Sequence, residues 1–283
     1  MAVTLASIYR YPVKSCRRDE MPQAEVEPWG LAGDRRWMLV DDDGALVTAR
    51  ERRRLLLVTP VLDGTALRLH APGHPSLTVK VPEGELAQVS LWSSRLDAAP
   101  AVPEAHAWFS EVAGMSLRLV YLDDPLRRRA NPQFSAAGDR VSFADGYPLL
   151  LASESSLACL NRWIAEGPRA CDGPLPMTRF RPNVVVRGAA AWAEDGWRLL
   201  RIGDVTFRAV KGCDRCVMTM IDPETLTTTK EPIATLARYR HWDGATWFGM
   251  NLIPDSLAAG AAIRVGDPVE ILEEVDAPDG PPR

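Results

Sequence analysis

The sequence predicts a β-rich protein of the α+β class with few short helices. Short runs rich in Val, Ile, Thr, Tyr and Phe recur along the chain, and Gly, Pro and Asp separate them, which is typical of strands joined by tight turns. Only three segments space their apolar residues as an amphipathic helix does. At 283 residues with 46% hydrophobic content, the chain is long enough for two cores. We therefore expect one large or two modest domains built mainly from strands.

The first third of the chain should be an antiparallel β region. A first strand is predicted from Val3 to Tyr11, because β-formers alternate there and Pro12 cannot donate to a ladder. Gly44 supplies the positive φ of a tight turn, so a β-hairpin should surround it. The other elements predicted here are strands at Ala24–Val26, Arg36–Val40, Ala45–Ala49, Leu55–Leu62, Thr65–His70, Leu77–Val81 and Leu117–Leu122 and a helix near Ala105–Val112.

A change of composition marks the domain boundary. The segment from Asp123 to Asp139 is polar and rich in arginine, which is typical of a connection between domains. We therefore divide the chain into a domain at residues 1–125 and a second domain at residues 126–273. Residues 274–283 contain prolines and acids but little to bury, and we expect them to be a disordered tail.

The second domain should also be built mainly from strands. A helix should follow Ser153, because hydroxyl residues can cap it and Leu157, Leu160 and Ile164 lie on one helical face. A hairpin turning at Gly203-Asp204 leads directly to the cysteines at 213 and 216. The remaining predicted elements are strands at Asn183–Arg187, Trp197–Ile202, Val205–Val210, Phe248–Leu252 and Ile263–Leu272 and a helix at Glu231–Tyr239.

Composition argues against several classes of partner. The net charge is −4, whereas a nucleic-acid-binding domain usually has a basic face. No stretch approaches the roughly 20 apolar residues of a membrane span, and the first residues lack the pattern of a signal peptide. We therefore expect a cytoplasmic protein with no membrane span, in which the five cysteines stay reduced.

Cys213 and Cys216 form the pair most suited to chemistry, and four interpretations compete. A closed zinc site needs four ligands, but the other cysteines and the histidines are scattered. A dithiol redox motif normally begins a helix, whereas Asp222-Pro223 soon closes this loop. Two buried small residues are a third interpretation. Against it, the nearby cations Lys211 and Arg215 should lower the thiol pKa and favour a thiolate for nucleophilic attack or for a soft metal.

Three short cationic groups point to an anionic ligand. They lie at strand ends and turns, where a rigid scaffold commonly presents binding residues. Guanidinium groups suit phosphate oxygens, and turn N–H groups add donors. Together with the thiolate, they suggest a phosphorylated cofactor that carries a soft metal. The groups are Lys14-Ser15, Arg35-Arg36 and Arg179-Phe-Arg181-Pro-Asn183.

Six motifs occur in a recognisable order. They are Tyr11-Pro-Val-Lys-Ser-Cys16, Gly33-Asp-Arg-Arg-Trp37, Val47-Thr-Ala-Arg50, Phe180-Arg-Pro-Asn183, Cys213-Asp-Arg-Cys216 with Asp222-Pro223, and Val265-Gly-Asp-Pro-Val269. The set resembles the MOSC-domain proteins that carry an N-terminal MOSC β-barrel domain, among them the mitochondrial amidoxime-reducing components and their bacterial counterparts. The resemblance covers Val3 to Leu272. It implies a MOSC β-barrel domain from about residue 126 and a smaller β-rich N-terminal domain, which together enclose a molybdenum cofactor, molybdopterin carrying molybdenum.

The resemblance also implies a role for each motif residue. It makes Cys216 the thiolate ligand of molybdenum and therefore the metal-binding and catalytic residue. Lys14, Ser15 and Arg35 would approach the pterin phosphate from the N-terminal domain, and Arg181 and Asn183 from the MOSC domain. The remaining residues would line the cofactor, and they are Asp145, Gly146 and Tyr147 by their backbone and Cys213, Asp214 and Arg215 around the metal ligand.

The activity implied is that of a molybdenum-dependent oxidoreductase reducing N-hydroxylated compounds. No cysteine follows Cys216, so the iron–sulfur domain of some bacterial relatives is not expected, and electrons would come from a separate ferredoxin, flavin or cytochrome-type protein. The MOSC-containing cofactor sulfurases also carry a pyridoxal-phosphate domain, and no region here has its length and pattern. The alternative function is a carrier that binds molybdenum cofactor without turnover.

Overall fold

The computed structural model describes residues 2–277 and 279–283. Within this part of the chain there are nineteen strands and three short α-helices, which confirms the β-rich class. In chain order the elements are β1 (Thr4–Arg10), β2 (Asp19–Met21), β3 (Gln23–Glu27), β4 (Gly30–Leu31), β5 (Trp37–Val40), β6 (Thr59–Asp63), β7 (Ala66–Ala71), β8 (His74–Lys80), β9 (Ala87–Leu91), β10 (Ser94–Pro100), α1 (Pro103–Ala113), β11 (Arg118–Tyr121), β12 (Leu149–Ser153), α2 (Glu154–Ala165), β13 (Val184–Arg187), β14 (Trp197–Ile202), β15 (Val205–Asp214), α3 (Ile233–Tyr239), β16 (His241–Trp242), β17 (Ala245–Pro254), β18 (Ala262–Arg264) and β19 (Val269–Glu274).

The largest sheet has nine strands and holds most elements of the second half of the chain. Its order is β19-β14-β15-β17-β12-β13-β1-β2, and β16 pairs with β17 off this path. Neighbouring strands of this sheet run antiparallel, except that β12 and β13 run parallel. The sheet also contains β1, whose residue Thr4 pairs with Arg187 of β13. Sheet pairing thus crosses the division near residue 125, and that division stays a prediction.

The first half of the chain adds two smaller sheets around α1. One has the strand order β5-β11-β10-β9 and the other β6-β7-β8. Helix α1 begins with proline at a first-turn position and ends before Gly114, whose φ of 70° closes the helix as glycine readily does. It buries Trp108 and Phe109 in a core shared with Trp37 and Leu55. This half therefore has its own apolar core beside the large sheet.

Helix α2 packs on the large sheet as its apolar spacing predicts. Leu160 and Ile164 are buried, together with Phe180 and Phe248, whose ring centroids lie 3.9 Å apart. Ser153 occupies the N-cap position, but its hydroxyl makes no capping hydrogen bond and is buried without a partner. The helix is therefore held by packing of its apolar face. Among the described residues, no helix has the length and apolar character needed to cross a bilayer.

The C-terminal segment differs from the disordered tail that the sequence predicts. The N–H of Gly212 donates to the carbonyl oxygen of Pro282 at 2.7 Å. Arg283 Nε donates to Asp243 at 2.6 Å, and Pro281 is buried. A Cβ at position 212 would lie 2.5 Å from the Pro281 ring, so glycine there permits the contact. Prolines lose little conformational freedom on ordering, and this offsets the small area that the segment can bury.

Candidate functional site

A cavity of about 370 Å³ lies where the two halves of the chain meet, a size in the ordinary range of small-molecule sites. The structure brings every sequence-predicted site residue to its wall, although these residues come from five separate segments. The cavity is thus assembled from distant parts of the chain, while the role of each residue stays a prediction. The residues are Lys14, Ser15, Arg35, Asp145, Gly146, Tyr147, Arg181, Asn183, Cys213, Asp214, Arg215 and Cys216.

A tight turn after β1 presents Lys14 and Ser15. The N–H of Cys16 donates to the Val13 carbonyl at 3.1 Å, and Ser15 has a φ of 72°, as the third residue of a type II turn requires. Lys14 Nζ donates to the Phe143 carbonyl at 2.8 Å and forms an ion pair with Asp145. Burial lowers the pKa of Lys14 to about 8, although the Asp145 carboxylate opposes the change.

The Asp145 carboxylate that pairs with Lys14 lies on a turn, and the Arg128 side chain stabilises this turn through hydrogen bonds. The Arg128 guanidinium donates to the carbonyls of Ser142, Ala144 and Asp145, the last at 2.7 Å. Burial lowers the pKa of Arg128 to about 10. Burial would raise the pKa of Asp145, but the Lys14 ammonium, the Arg50 charge and a donated hydrogen bond outweigh it and hold that pKa below its usual range. The segment interpreted as a domain connection therefore positions a site residue.

Two arginines lie against the ring of Tyr11. The guanidinium carbons of Arg35 and Arg181 are 4.4 and 4.3 Å from the ring centroid, and both residues have positive φ, 47° and 55°. Such backbone conformations are uncommon for side chains of this size and collect at functional sites. Burial raises the pKa of Tyr11 to about 12, so the phenol stays neutral. The neutral ring can hold the two cations side by side through cation–π contacts.

The two arginines differ in their partners. Arg35 Nη1 donates to Asp34 at 2.6 Å and to the Asn183 amide oxygen at 2.8 Å. The Arg181 side chain forms no hydrogen bond or ion pair with the described residues, and burial lowers its pKa. A partly buried cation without an ion-pair partner is poorly compensated, so Arg181 is a group that an incoming anion would stabilise.

The side chain of Asn183 forms its hydrogen bonds with other residues of the protein. Its amide oxygen also accepts from the Leu150 N–H at 3.2 Å, and its amide nitrogen donates to the Tyr9 carbonyl at 3.2 Å. The side chain is thus committed to Arg35 and to strands β1 and β12. We infer that Asn183 orients Arg35, whereas the resemblance implies direct contact with a cofactor.

The two cysteines stand at the end of β15, with Cys213 inside the strand and Cys216 just after it. Arg215 Nη1 lies 2.8 Å from Cys213 Sγ, but burial outweighs that charge and raises the pKa of the Cys213 thiol. This corrects the expectation that neighbouring cations make a thiolate at position 213, because desolvation is the larger effect there. Cys216 stands at the start of a short 3-10 helix, Val217–Met220, and its carbonyl accepts from Thr219 Oγ1 at 2.9 Å.

The buried side chain of Arg179 holds the cysteine loop around Cys216 through hydrogen bonds to backbone carbonyls. Its Nε donates to the Thr219 carbonyl and its Nη2 to the Met220 carbonyl, both at 2.8 Å. Among the described residues, no group of three or more His, Cys, Asp or Glu side chains could hold a metal ion. A closed zinc site would use four such ligands. Any metal bound here would therefore rely on few protein ligands, with Cys216 available from this loop.

Sequence reasoning missed several residues of the cavity wall. Arg50 ends one of the six motifs and Lys211 precedes the cysteine pair, but neither was expected to line the cavity. Trp92 carried no sequence signal, yet its φ is 54° and its Nε1 donates to Asp145 at 3.2 Å. In total, seven cationic side chains and two carboxylates line the cavity, so it strongly favours an anion. The polar and aromatic residues missed are Thr48, Arg50, Trp92, Asn131, Lys211, Thr219 and Asn251.

The pKa of Lys14 predicts how anion binding depends on pH. Lys14 loses its proton as the pH rises through about 8, so its attraction for an anion is present below that pH and lost above it. Sulfate, which does not titrate in this range, should bind about tenfold more weakly at pH 9 than at pH 7 by calorimetry. Lys14→Arg should bind equally at both pH values. A native protein whose affinity does not change would show that Lys14 is not an anion ligand.

Comparison with known proteins finds the same two domains that the six motifs indicated. Residues 2–116 match the MOSC N-terminal beta barrel domain, and residues 138–270 match the MOSC domain. Mitochondrial amidoxime-reducing component 1 of Mus musculus is 32% identical over 95% of this chain and 82% of that protein. Mitochondrial amidoxime reducing component 2 of Rattus norvegicus is 33% identical over 94% and 82%.

A longer protein is also similar to most of this chain. The molybdenum cofactor sulfurase of Oryza sativa subsp. japonica is 30% identical over 91% of this chain, which corresponds to 33% of the sulfurase. The similarity to each of the three proteins covers at least 91% of this chain. The chain therefore belongs to the family of MOSC-domain proteins with an N-terminal MOSC barrel domain, the family that includes the amidoxime-reducing components.

Proposed function

We propose that this protein is a molybdenum-cofactor-dependent oxidoreductase that reduces N-hydroxylated compounds with electrons from a separate donor protein. The observation that carries the proposal is that Cys216 and seven cationic side chains line one cavity. The names of the relatives, amidoxime-reducing components and a molybdenum cofactor sulfurase, support it. We also propose a cytoplasmic location, which the five free cysteines support.

The chemistry of the cavity wall fits such a cofactor. A thiolate is the kind of ligand that soft metals prefer, and Cys216 lines the cavity with no hydrogen bond to its sulfur among the described residues. A phosphate requires cationic donors in a fixed arrangement, and Arg181, held against the Tyr11 ring, offers a guanidinium that forms no hydrogen bond within the described part of the chain. The two requirements are thus met within one cavity of suitable size.

The protein's own residues would bind and orient the cofactor. Cys216 would hold the metal, while Lys14, Arg35 and Arg181 would hold the phosphate. Arg179 would keep the cysteine loop in place through the carbonyls it binds. When bound, the cofactor supplies two-electron redox chemistry at its metal, and the protein supplies position and charge.

A carrier that stores or transfers molybdenum cofactor is the second candidate. The cations and the thiol would serve a carrier equally well, so charge does not separate the two functions. Access to the metal position favours an enzyme, since Cys216 is only partly buried and its neighbour Val217 is 53% exposed. A substrate could therefore reach a metal bound at Cys216 from solvent.

Turnover with an artificial donor tests the proposal. Molybdenum-loaded protein should convert benzamidoxime to benzamidine when a reduced viologen dye supplies electrons, and Cys216→Ala should not. A nicotinamide cofactor alone should give no reaction, because no Gly-x-Gly-x-x-Gly loop follows a strand. If the loaded protein fails with hydroxylamines, amidoximes and N-oxides but passes its cofactor to an apo-enzyme, the carrier function should replace the reductase.

A further inference from the structure

Arginines collect on one surface of an otherwise acidic protein. We call this surface the basic patch and define it by Arg17, Arg50, Arg52, Arg53 and Arg54. The last four are exposed and Arg17 is partly exposed, although the net charge of the chain is −4. Glu51 is the single acid within residues 50–54.

Packing explains why these side chains face outward. Residues 53–57 form a 3-10 helix, and Leu55, Leu56 and Val58 are buried in the core of the first half of the chain. Because these three apolar side chains face the core, the arginines that come before them in the chain extend into solvent. The patch is therefore held on a rigid part of the fold.

The basic patch adjoins the cavity on two sides. Arg50 lines the cavity, and its Nη2 is 4.0 Å from the Asp145 carboxylate. Arg17 Nη2 donates to the Pro223 carbonyl at 2.9 Å and pairs with Glu224 at 2.8 Å, on the turn that follows the cysteine loop. A protein seated on the patch would thus stand beside the cavity mouth and the loop that carries Cys216.

Three of the arginines carry charges that are not neutralised by an ion pair with the described residues. No ion pair with the described residues is formed by Arg52, Arg53 or Arg54. The Nε of Arg52 donates a hydrogen bond to the sulfur of Met115 at 2.8 Å. Consecutive like charges repel each other and destabilise the folded chain slightly. A bound acidic partner would remove that repulsion.

We propose that the basic patch is the docking surface for an acidic redox protein that delivers electrons to the cavity. This inference rests on the proposed reductase function, in which two electrons and two protons convert an N–OH group to N–H and water, and the donor is oxidised. The rest of the protein is net negative and would repel an acidic donor, so approach would be directed to the patch. The same excess negative charge opposes binding of long nucleic acids or anionic membranes.

Charge reversal tests the docking surface. The triple variant Arg52→Glu, Arg53→Glu, Arg54→Glu changes no residue of the cavity wall. Using dithionite-reduced acidic [2Fe–2S] ferredoxin and flavodoxin as donors at low salt, we expect the second-order rate constant to fall roughly 10- to 100-fold. The native rate should fall as salt rises, and the variant rate should change little. Dye-driven turnover should be the same in both proteins.

A second triple variant provides the matched control. Lys80→Glu, Arg238→Glu and Arg264→Glu change the net charge by the same amount at exposed positions outside the patch. This control should keep most of the native rate with both donors. Equal losses in the two variants, or no loss in either, would overturn the proposal.

Binding measurements keep this test separate from the reductase function. Calorimetric titration of either acidic protein into native protein should show binding that the patch variant loses and the control retains. If dye-driven turnover is absent but this pattern holds, the reductase function fails while the surface stands as a site for acidic proteins. Tighter patch-dependent binding of single-stranded RNA or anionic lipid vesicles than of either donor would contradict the proposal.

Discussion

Replacing Cys216 with alanine is expected to remove bound molybdenum and reduce activity to background. Loss of a supporting group near a metal typically costs 10- to 100-fold in affinity, and loss of a ligand should cost at least roughly 100-fold. Metal analysis of purified protein, with dye-driven benzamidoxime reduction as the second measurement, checks both effects. The fold should not change, because Cys216 is only partly buried.

Cys213→Ala is the matched control for this result. The Cys213 thiol lies against Arg215, and its raised pKa keeps it protonated near neutral pH. Most of the metal and activity should therefore remain. Equal loss from the two substitutions, with no molybdenum in native protein, would indicate a dithiol redox site instead.

Arg181→Gln is expected to weaken retention of the phosphorylated cofactor by roughly 10- to 150-fold. A hydrogen bond to a charged group contributes about 1.5–3 kcal/mol, and this range corresponds to that change in the dissociation constant. Cofactor release after dilution, followed by pterin fluorescence, measures the effect. Arg181→Lys should recover part of the affinity, because an ammonium keeps the charge but not the planar pair of donors.

Thermal unfolding separates binding from structure at this position. The Arg181 side chain forms no hydrogen bond with the described residues. Its guanidinium lies against the Tyr11 ring, as that of Arg35 does. Its replacement should leave the Tm of cofactor-free protein unchanged or slightly higher, since a partly buried charge without an ion-pair partner is removed. A clear fall in Tm, with full cofactor retention, would show that the arginine supports the fold alone.

Local signals predicted many of the elements and part of the cavity wall, because these features depend on short stretches of sequence. Alternation and proline identified β1, and apolar spacing identified α2. The cations of the cavity were found because arginines at strand ends have few structural uses. In each case, three to ten consecutive residues contained the necessary information.

Features that depend on tertiary surroundings were not predictable. Arg128 looked like part of a polar connection, since nothing local shows that three carbonyls of a later turn surround it. The net shift of the Cys213 pKa was misjudged, because the charge of Arg215 is visible in the sequence and the burial that outweighs it is not. The contact of the C-terminal segment with Gly212 was likewise not predictable, because it joins distant positions of the chain.

The place of β1 beside β13 determines when this chain can complete its fold. Tyr9 and Asn183 are joined by a hydrogen bond although 174 positions separate them in the chain. A strand made at the start of synthesis can pair with β2 early, but its other edge must stay unpaired until the ribosome has delivered β13. Such delayed pairing slows folding and exposes strand edges that aggregate. A chaperone that covers the first strand would act on this protein well before its second half exists.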